Sequence, residues 1–305
     1  MQPFFGYSLY HMPSPFANAW MKPLGYMAQF LQMMNIIRRK GADVVWIQLP
    51  PTIILHMLYI WRFIAGGRYQ IILDCHNRTF RAPWISIPGT VKLLNRSSVV
   101  VVHNDEIKKD ALSMGVDEEK LVTLEDPPAI IDIPNYAKWP DRPTVLVPCS
   151  FNPDEPISEL IEAARGAPEI TFFITGNVSK ARARGFVDGS PENVVWTGFV
   201  PTNEYEHMLL TSTAILGLTT IEGIQLSVAS EAIGAGKAMV LSDTAILRVM
   251  FGQAALFTRH DPDSLIAACR EAVARCAELS ERSAVLRDKR WVQWRKDAER
   301  VIISR

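Results

Sequence analysis

Two glutamates, Glu222 and Glu231, stand nine positions apart in the segment IEGIQLSVASEAIGAGKAMVLSD, residues 221–243. Glu231 lies among small and apolar residues, where an unpaired buried carboxylate costs several kcal/mol. A helix that begins near Leu226 would point its first N–H groups at the preceding loop, and such a helix end binds phosphate. A carboxylate at Glu231 can also accept two hydrogen bonds from the diol of a ribose. The pattern fits a nucleotide diphosphate, although pairing with Lys237 explains Glu231 equally well.

Small, polar or glycine residues follow most of the apolar segments that predict strands. Ligands of doubly wound sheets bind beyond the carboxyl ends of the strands, so these residues are binding candidates. Residues 103–105 are expected to be loop and cap residues instead. Asp154 and Glu155 are expected to cap the helix that begins at Pro156. The candidate strand ends are residues 75–77, 103–105, 150–152, 175–177, 197–199, 219–220 and 242–243.

The elements that must position these residues alternate between apolar strands and helices. The strands lack a period-2 pattern, which indicates parallel strands with helices on both faces. Residues 127–143 hold five prolines and no periodicity, which indicates a linker. We therefore expect two doubly wound, Rossmann-like domains with a cleft between them. The first covers residues 1–126 and the second residues 144–285, and residues 286–305 form a helix that packs back toward the first domain.

Composition narrows the class of protein. The 305 residues carry 32 Lys+Arg and 32 Asp+Glu, so a general nucleic-acid role gains no support. Residues 1–125 are more basic, with 13 Lys+Arg against 9 Asp+Glu. The four cysteines show neither a CxxC pair nor a histidine at ligand spacing, which predicts reduced thiols in a cytosolic protein. The first residues lack the pattern of a signal peptide.

The most apolar segment, TIILHMLYIWRFIAGG, begins at Thr52. It is shorter than the roughly 20 apolar residues that span a bilayer, and it contains His56 and Arg62. It is either a buried helix of the α/β fold or a surface that leans on a membrane. The basic residues that would then contact anionic lipids are Arg38, Arg39, Lys40, Arg62 and Arg68.

Six segments, in order, span residue 44 to about residue 260. They are VVWIQLPP, ILDCHNRTF, VVVHNDEIKKDALSMGV, LEDPP, VPCSFNPDEPISELIEAA and SEAIGAGKAMVLSDTAILRVMF. Together they resemble the motifs of GT-B-fold glycosyltransferases of the bacterial family-four-like type. The chain is also distantly similar to the chitobiosyldiphosphodolichol β-mannosyltransferases. The resemblance implies two Rossmann-like domains around a cleft, with the first β-α unit of the N-terminal domain missing from this sequence.

The resemblance also implies roles for individual residues. His76 would face the reacting sugar, and Glu222 would stand with Gly223 and Ile224 by the donor sugar and its diphosphate. His76 and Glu222 are thus the predicted catalytic residues, and Glu231 would hold the ribose. The other donor-site residues are Ser150, Phe151, Thr175 and Gly176, which would line the pocket, and Gly198, Phe199 and Val200, which would flank the base. The cation for the diphosphate would come from Lys180, Arg182, Arg184 or Arg248, or the helix N-terminus would act alone.

The predicted function is transfer of a hexose from a nucleotide-diphosphate sugar to an acceptor hydroxyl. The acceptor is expected to be a saccharide, either lipid-linked or a polysaccharide precursor, and an anionic membrane surface is an expected partner. Enzymes of the resembled type need neither a metal nor a cofactor, so none is expected. The predicted location is the cytoplasm, peripheral on the inner face of the membrane. Two alternatives remain: a non-catalytic partner that binds a sugar nucleotide or docks on a membrane complex, and a nucleotide-sugar epimerase.

Overall fold

The computed structural model describes residues 2–13, 15–16, 18–131 and 142–303, so most of the predicted linker lies outside the described residues. The chain divides into two compact units. Unit 1 is Met1–Asp126 together with Gln293–Arg305, and unit 2 is Pro127–Val292. The last helix, Cys276–Ile303, contributes residues to both units.

Unit 1 is built on a parallel four-stranded sheet in the order β1-β2-β3-β4. The strands are β1 (Val44–Leu49), β2 (Gln70–Cys75), β3 (Val99–Val102) and β4 (Leu121–Thr123). The helices are α1 (Gln2–Phe5), α2 (Lys22–Lys40), α3 (Ile53–Ala65), α4 (Thr90–Arg96) and α5 (Asp105–Ser113). The central strands are buried along their length, as their continuous apolar runs predict. The edge strand β1 instead alternates between buried and more exposed positions, so one of its faces is covered less than the other.

Unit 2 is built on a parallel six-stranded sheet in the order β10-β9-β8-β5-β6-β7. The strands are β5 (Thr144–Pro148), β6 (Thr171–Thr175), β7 (Val194–Gly198), β8 (Ala214–Gly217), β9 (Ala238–Ser242) and β10 (Leu256–Thr258). The helices are α6 (Ile157–Gly166), α7 (Val178–Ala183), α8 (Thr202–Thr211), α9 (Ser227–Gly234), α10 (Ala245–Phe251), α11 (Pro262–Ala274) and α12 (Cys276–Ile303).

The two faces of the second sheet have separate cores. Val145 and Val147 of β5 pack with Leu160 of α6 and Leu265 of α11 on one face. Leu146, which points the opposite way, packs on the other face with side chains of α8, α9 and α10. Alternate residues of a strand point to opposite faces, so each strand feeds both cores. This arrangement confirms the predicted doubly wound architecture.

The strand order of unit 2 reverses next to β5. From β5 the sheet grows through β6 and β7 in one direction, and then β8, β9 and β10 extend it in the other. Successive helices therefore lie on opposite faces, and a crevice opens beyond the carboxyl ends of β5 and β8. Most of the predicted donor residues lie in the loops around this point.

Candidate functional site

One carboxylate fixes the backbone of the loop that follows β5. The two oxygens of Glu155 accept hydrogen bonds from the backbone N–H groups of Ser150 and Asn152, at 3.1 Å each. Between them, Phe151 adopts a left-handed conformation with φ of 54°, while its ring is fully buried. The buried ring lies 6.0 Å from the ring of Trp196. Ser150 stays exposed, so the loop presents this serine and fixes its backbone.

The expectation that Asp154 and Glu155 cap the next helix was wrong. The N-cap position of α6 is Pro156, and no side chain caps it. The carboxylate of Asp154 accepts a hydrogen bond from the Thr219 hydroxyl at 2.9 Å, and its carbonyl accepts the Thr220 N–H at 2.8 Å. Asp154 therefore joins the β5 loop to the β8 loop, across the point where the strand order reverses. An aspartate can cap a helix or join two loops, so the residue type alone did not distinguish these two roles.

Two of the basic residues proposed to contact the diphosphate, Lys180 and Arg184, donate hydrogen bonds to the β5 loop. Lys180 Nζ donates to the Ser150 carbonyl at 2.7 Å and to the Asn152 side chain at 3.0 Å. Arg184 donates to the carbonyls of Phe151 and Asn152, both at 3.0 Å. A third, Arg248, forms an ion pair with Asp243, and the hydrogen bond to Arg248 holds the pKa of Asp243 below its usual value.

Arg182 and the end of α9 are the remaining candidates for a phosphate contact. Arg182 lies on α7 with its side chain exposed. Helix α9 begins at Ser227, close to the predicted start near Leu226. Its first N–H groups follow directly on the β8 loop, which is the arrangement that favours an anion.

The end of β6 needs a glycine. Gly176 has φ of 122°, and a Cβ there would stand 2.1 Å from the carbonyl oxygen of Cys149. The preceding Thr175 is buried, and its carbonyl accepts the Cys149 N–H at 3.1 Å. Through their backbones, these two predicted site residues fix the spacing between the ends of β5 and β6.

The end of β7 presents an apolar ring to solvent. Gly198 has φ of 76°, and its carbonyl accepts the Gly176 N–H at 3.1 Å. The next residue, Phe199, is 82% exposed, and Val200 is half-buried. An aromatic side chain this exposed is available for stacking on a flat ligand.

The β8 loop carries Glu222, Gly223 and Ile224. The Glu222 carboxylate accepts a hydrogen bond from the backbone N–H of Ala245, the first residue of α10, at 3.1 Å. Gly223 has φ of 76°, which favours glycine, and Ile224 is half-buried. Glu222 thus serves the start of α10, and its part in catalysis stays a prediction.

Glu231 lies in the middle of α9 and is half-buried. The partner that the structure gives its carboxylate is the hydroxyl of Tyr205 on α8, while Lys237 donates to the Leu210 carbonyl at 2.9 Å. Burial raises the pKa of Glu231, and the bond from Tyr205 opposes that rise. For Tyr205, burial and the neighbouring carboxylate both raise the pKa. Tyr205 was not predicted, because nothing in the local sequence links it to a residue 26 positions later.

In unit 1, His76 belongs to a cluster that the sequence analysis missed. His103, expected to be a loop residue, is buried and joins Asp74 through Nε2 at 2.7 Å. The rings of His76 and His103 lie 4.6 Å apart. The amide nitrogen of Gln48 contacts Nε2 of His76, and because an amide nitrogen only donates, that Nε2 accepts. The expected cap is confirmed one residue on, since Asn104 accepts the Ile107 N–H at 2.8 Å.

The two histidines have opposite shifts. Burial lowers the pKa of His76, and the charge of His103 lowers it further. Burial alone would lower the pKa of His103, but its hydrogen bond and charge interaction with Asp74 raise it above the usual value, with a further contribution from Asp126. The pair can therefore hold one neutral and one charged imidazole at the same pH.

Asp74, His76 and His103 are also of metal-ligand type. One ligand atom from each lies within 4.8 Å of the others. In the structure Nε2 of His103 contacts Asp74 and Nε2 of His76 contacts Gln48. An ion bound through these two nitrogens would have to displace both contacts.

No protein-family model and no curated protein matches this chain. Solved structures do. Anabaena HepE (Alr3699), in complex with UDP-glucose, superposes with a TM-score of 0.68 at 15% identity, over 91% of this chain and 83% of HepE. The lipopolysaccharide outer core galactosyltransferase WaaB superposes with a TM-score of 0.56 at 16% identity, over 95% of this chain and 83% of WaaB. The chain has the GT-B fold.

A third similar structure has the same fold and is named for a different activity. It is the putative UDP-N-acetylglucosamine 2-epimerase of Listeria monocytogenes, with a TM-score of 0.59 at 13% identity, over 89% of this chain and 76% of the epimerase. The GT-B fold therefore leaves the reaction to be argued from the residues.

Proposed function

We propose that this chain transfers a hexose from a nucleotide-diphosphate sugar to an acceptor hydroxyl. The observation that carries the proposal is the hydrogen bond that joins the β5 and β8 loops where the strand order reverses. Helix α9 follows the β8 loop and carries a half-buried carboxylate, Glu231. A ligand that meets backbone N–H groups, an exposed ring and a carboxylate acceptor has a phosphate, a flat base and a diol. A sugar nucleotide has all three. The complex of HepE with UDP-glucose supports a sugar nucleotide as the ligand, because the two chains share the fold.

In this proposal unit 2 binds the donor. Glu231 accepts the ribose hydroxyls, and Tyr205 holds its carboxylate in place. Phe199 covers the base, while Ser150 and Gly223 line the path of the diphosphate. The α9 N-terminus and Arg182 stabilise the charge that develops on the leaving diphosphate. No metal or cofactor takes part.

His76 serves the acceptor side in the proposal. The Gln48 contact leaves Nε2 of His76 without a proton, and the lowered pKa keeps this imidazole neutral near physiological pH. A neutral imidazole has one ring lone pair, so Nε2 would exchange its contact with Gln48 for the attacking hydroxyl before it accepts the proton that this hydroxyl releases. The Asp74–His103 pair then acts as a positioning pair: the charge of His103 lowers the pKa of His76, and the charge of Asp74 opposes that effect.

The acceptor is a saccharide, either lipid-linked or a precursor of a polysaccharide, and the chain works in the cytoplasm at the inner face of a membrane. The apolar helix α3 and the basic residues around it support this part of the proposal. Among the described residues, no helix is both long and apolar enough to cross a bilayer.

The test is a thermal-shift panel with UDP, GDP, ADP and their sugars. A ligand at 100 times its Kd adds about 2.7 kcal/mol to the free energy of unfolding. We expect one base to shift the wild type and to lose that shift in Glu231→Gln. Glu204→Gln is the matched control, since Glu204 is an exposed glutamate in the first turn of α8. If no nucleotide shifts the wild type, the proposal fails.

Product analysis with the donor so identified then separates the alternatives. A glycosylated acceptor supports transfer. An epimerised sugar nucleotide, formed without acceptor, would instead show that this chain is an epimerase, as the Listeria protein is named. Binding with neither product would make the chain a non-catalytic partner.

A further inference from the structure

Helix α2 of unit 1 is apolar on both sides. Its inner face packs Met33 and Met34 into the core. On the outer face Leu24, Met27 and Leu31 are 55%, 49% and 60% exposed. These three follow the i, i+3, i+7 spacing that places side chains on one stripe. An apolar stripe on the outer side of a helix whose inner side is already buried indicates a surface that binds a partner.

Helix α3 repeats the pattern beside it. The two helices pack against each other, and α3 buries Leu55 and Leu58. In its last two turns Ile60, Phe63 and Ile64 are exposed, and Phe63 is 90% exposed. The sequence alone leaves open whether this helix is buried or lies at the surface. In the structure its buried residues lie in its first half and its exposed residues in its second half.

The exposed apolar residues concentrate in this part of the chain. Among the described residues, twenty large apolar side chains are exposed, and ten of them lie between residues 4 and 64. Seven belong to the two helices and the turn before α2. We call these the α2–α3 face: Trp20, Leu24, Met27, Leu31, Ile60, Phe63 and Ile64. Apolar patches of this kind mark interaction sites.

The charges around the face have one sign. Residues 1–73 contain six Lys or Arg and a single acidic residue, Asp43. Neither α2 nor α3 contains an acidic residue. Three of the cations, Arg38, Arg39 and Lys40, stand in the last turn of α2, where the helix dipole also favours them. The dipole does not explain why acids are absent from both helices, or why Arg68 follows the exposed turn of α3.

We propose that the α2–α3 face docks on a lipid bilayer that contains anionic phospholipids. An apolar stripe with a cationic border lies in the plane of such a surface, with the apolar side chains below the headgroups and the cations among them. Trp20, 77% exposed at the start of α2, is the residue type that favours this interfacial layer. A second copy of the chain is disfavoured as occupant, because two faces of the same positive charge would meet.

The purpose of this docking rests on the proposed function, since docking would bring the chain to a lipid-linked acceptor. Binding to lipid is nevertheless measurable without any donor or acceptor. Failure of either proposal is therefore visible separately.

The experiment is flotation of the full chain with vesicles of phosphatidylcholine, with and without phosphatidylglycerol. We expect binding to the anionic vesicles that falls as salt rises. The double variant Phe63→Ser/Ile64→Ser should lower the partition coefficient about tenfold or more, because two apolar side chains no longer enter the bilayer. Arg38→Gln/Arg39→Gln should lower binding to anionic vesicles about tenfold and leave binding to the neutral vesicles unchanged.

Two control variants make single changes of the same kind in unit 2. Val249→Ser removes an apolar side chain that is 87% exposed, and Arg259→Gln removes an exposed cation. Both should bind vesicles like the wild type. Thermal unfolding of each variant will test whether the chain is still folded.

Three results would overturn the inference. The first is absence of binding to either vesicle. The second is binding that the Val249 control lowers as much as the Phe63 and Ile64 changes do. The third is self-association of the free chain in sedimentation that disappears in the Phe63→Ser/Ile64→Ser variant, which would make the face an interface between copies.

Discussion

Replacing Asp74 by Asn should destabilise unit 1 in a way that depends on pH. Asp74 and His103 are 6% and 4% exposed, and 2.7 Å separates the carboxylate oxygen from Nε2. Removing one partner of a buried ion pair costs about 3–5 kcal/mol. The Asn oxygen can still accept a hydrogen bond, so the lower value, about 3 kcal/mol, applies. For a unit of this size that corresponds to a fall in Tm of about 10 °C.

The pH dependence has a definite sign. Burial alone would lower the pKa of His103, but Asp74 and then Asp126 raise it above its unfolded value. The stabilisation is therefore fully present below about pH 6.5 and is lost as pH rises through the higher folded pKa. The difference in Tm between the wild type and Asp74→Asn should be largest near about pH 6 and should shrink toward about pH 9.

Calorimetry of four chains measures the effect: the wild type, Asp74→Asn, His103→Gln and the double variant. The double variant should be less destabilised than the sum of the single ones, because the two side chains interact directly. Asp110→Asn on the exposed side of α5 is the control and should leave Tm nearly unchanged. A fall of less than about 2 °C in Asp74→Asn near about pH 6, or a difference that grows with pH, would refute the reasoning.

Three further changes test unit 2. Gly176→Ala would place a methyl group 2.1 Å from the Cys149 carbonyl oxygen at φ of 122°, so the free energy of unfolding should fall by about 3 kcal/mol or more in a denaturant titration. Lys237 has a pKa that burial lowers from 10.5 to about 8, so wild-type stability should gain about 3 kcal/mol between about pH 8 and pH 10.5, and Lys237→Met should lack that gain. Tyr205→Phe removes the hydrogen bond that opposes the raised pKa of Glu231, so calorimetric titration with the nucleotide should show binding weakened more near about pH 6 than near about pH 8; equal weakening at both pH values would contradict that role for Tyr205.

The sequence was sufficient for the fold because the core pattern is local. Each strand of unit 2 is a continuous apolar run with polar or glycine residues at its end, and helices of ordinary length separate the runs. The position of the strand-order reversal is different, because it depends on which strands pair. The hydrogen bond from Thr219 to Asp154 joins residues 65 positions apart, and no periodicity encodes it.

The site was predictable in position and less so in contacts. Glycines at 176, 198 and 223 were predicted at strand ends and loops, and each has a positive φ. The partners of Glu231 and His76 were not, since Tyr205 and His103 come from other elements of the fold. One signal was available for His103: a histidine directly after four valines of a buried strand stands at the carboxyl end of the sheet, next to the end of β2.

Helix α12 has a consequence for the order in which the protein forms during synthesis. Trp294, Ala298 and Val301 are buried, and the Trp294 ring lies 5.1 Å from that of Phe4 and 6.0 Å from that of Phe5. All of these belong to unit 1, although residues at the two ends of the chain supply them. A ribosome therefore makes most of unit 1 first and delivers its last core side chains only after all of unit 2. Until then Phe4 and Phe5 lack their contacts with the Trp294 ring, and a chain that ends before residue 294 never forms those contacts.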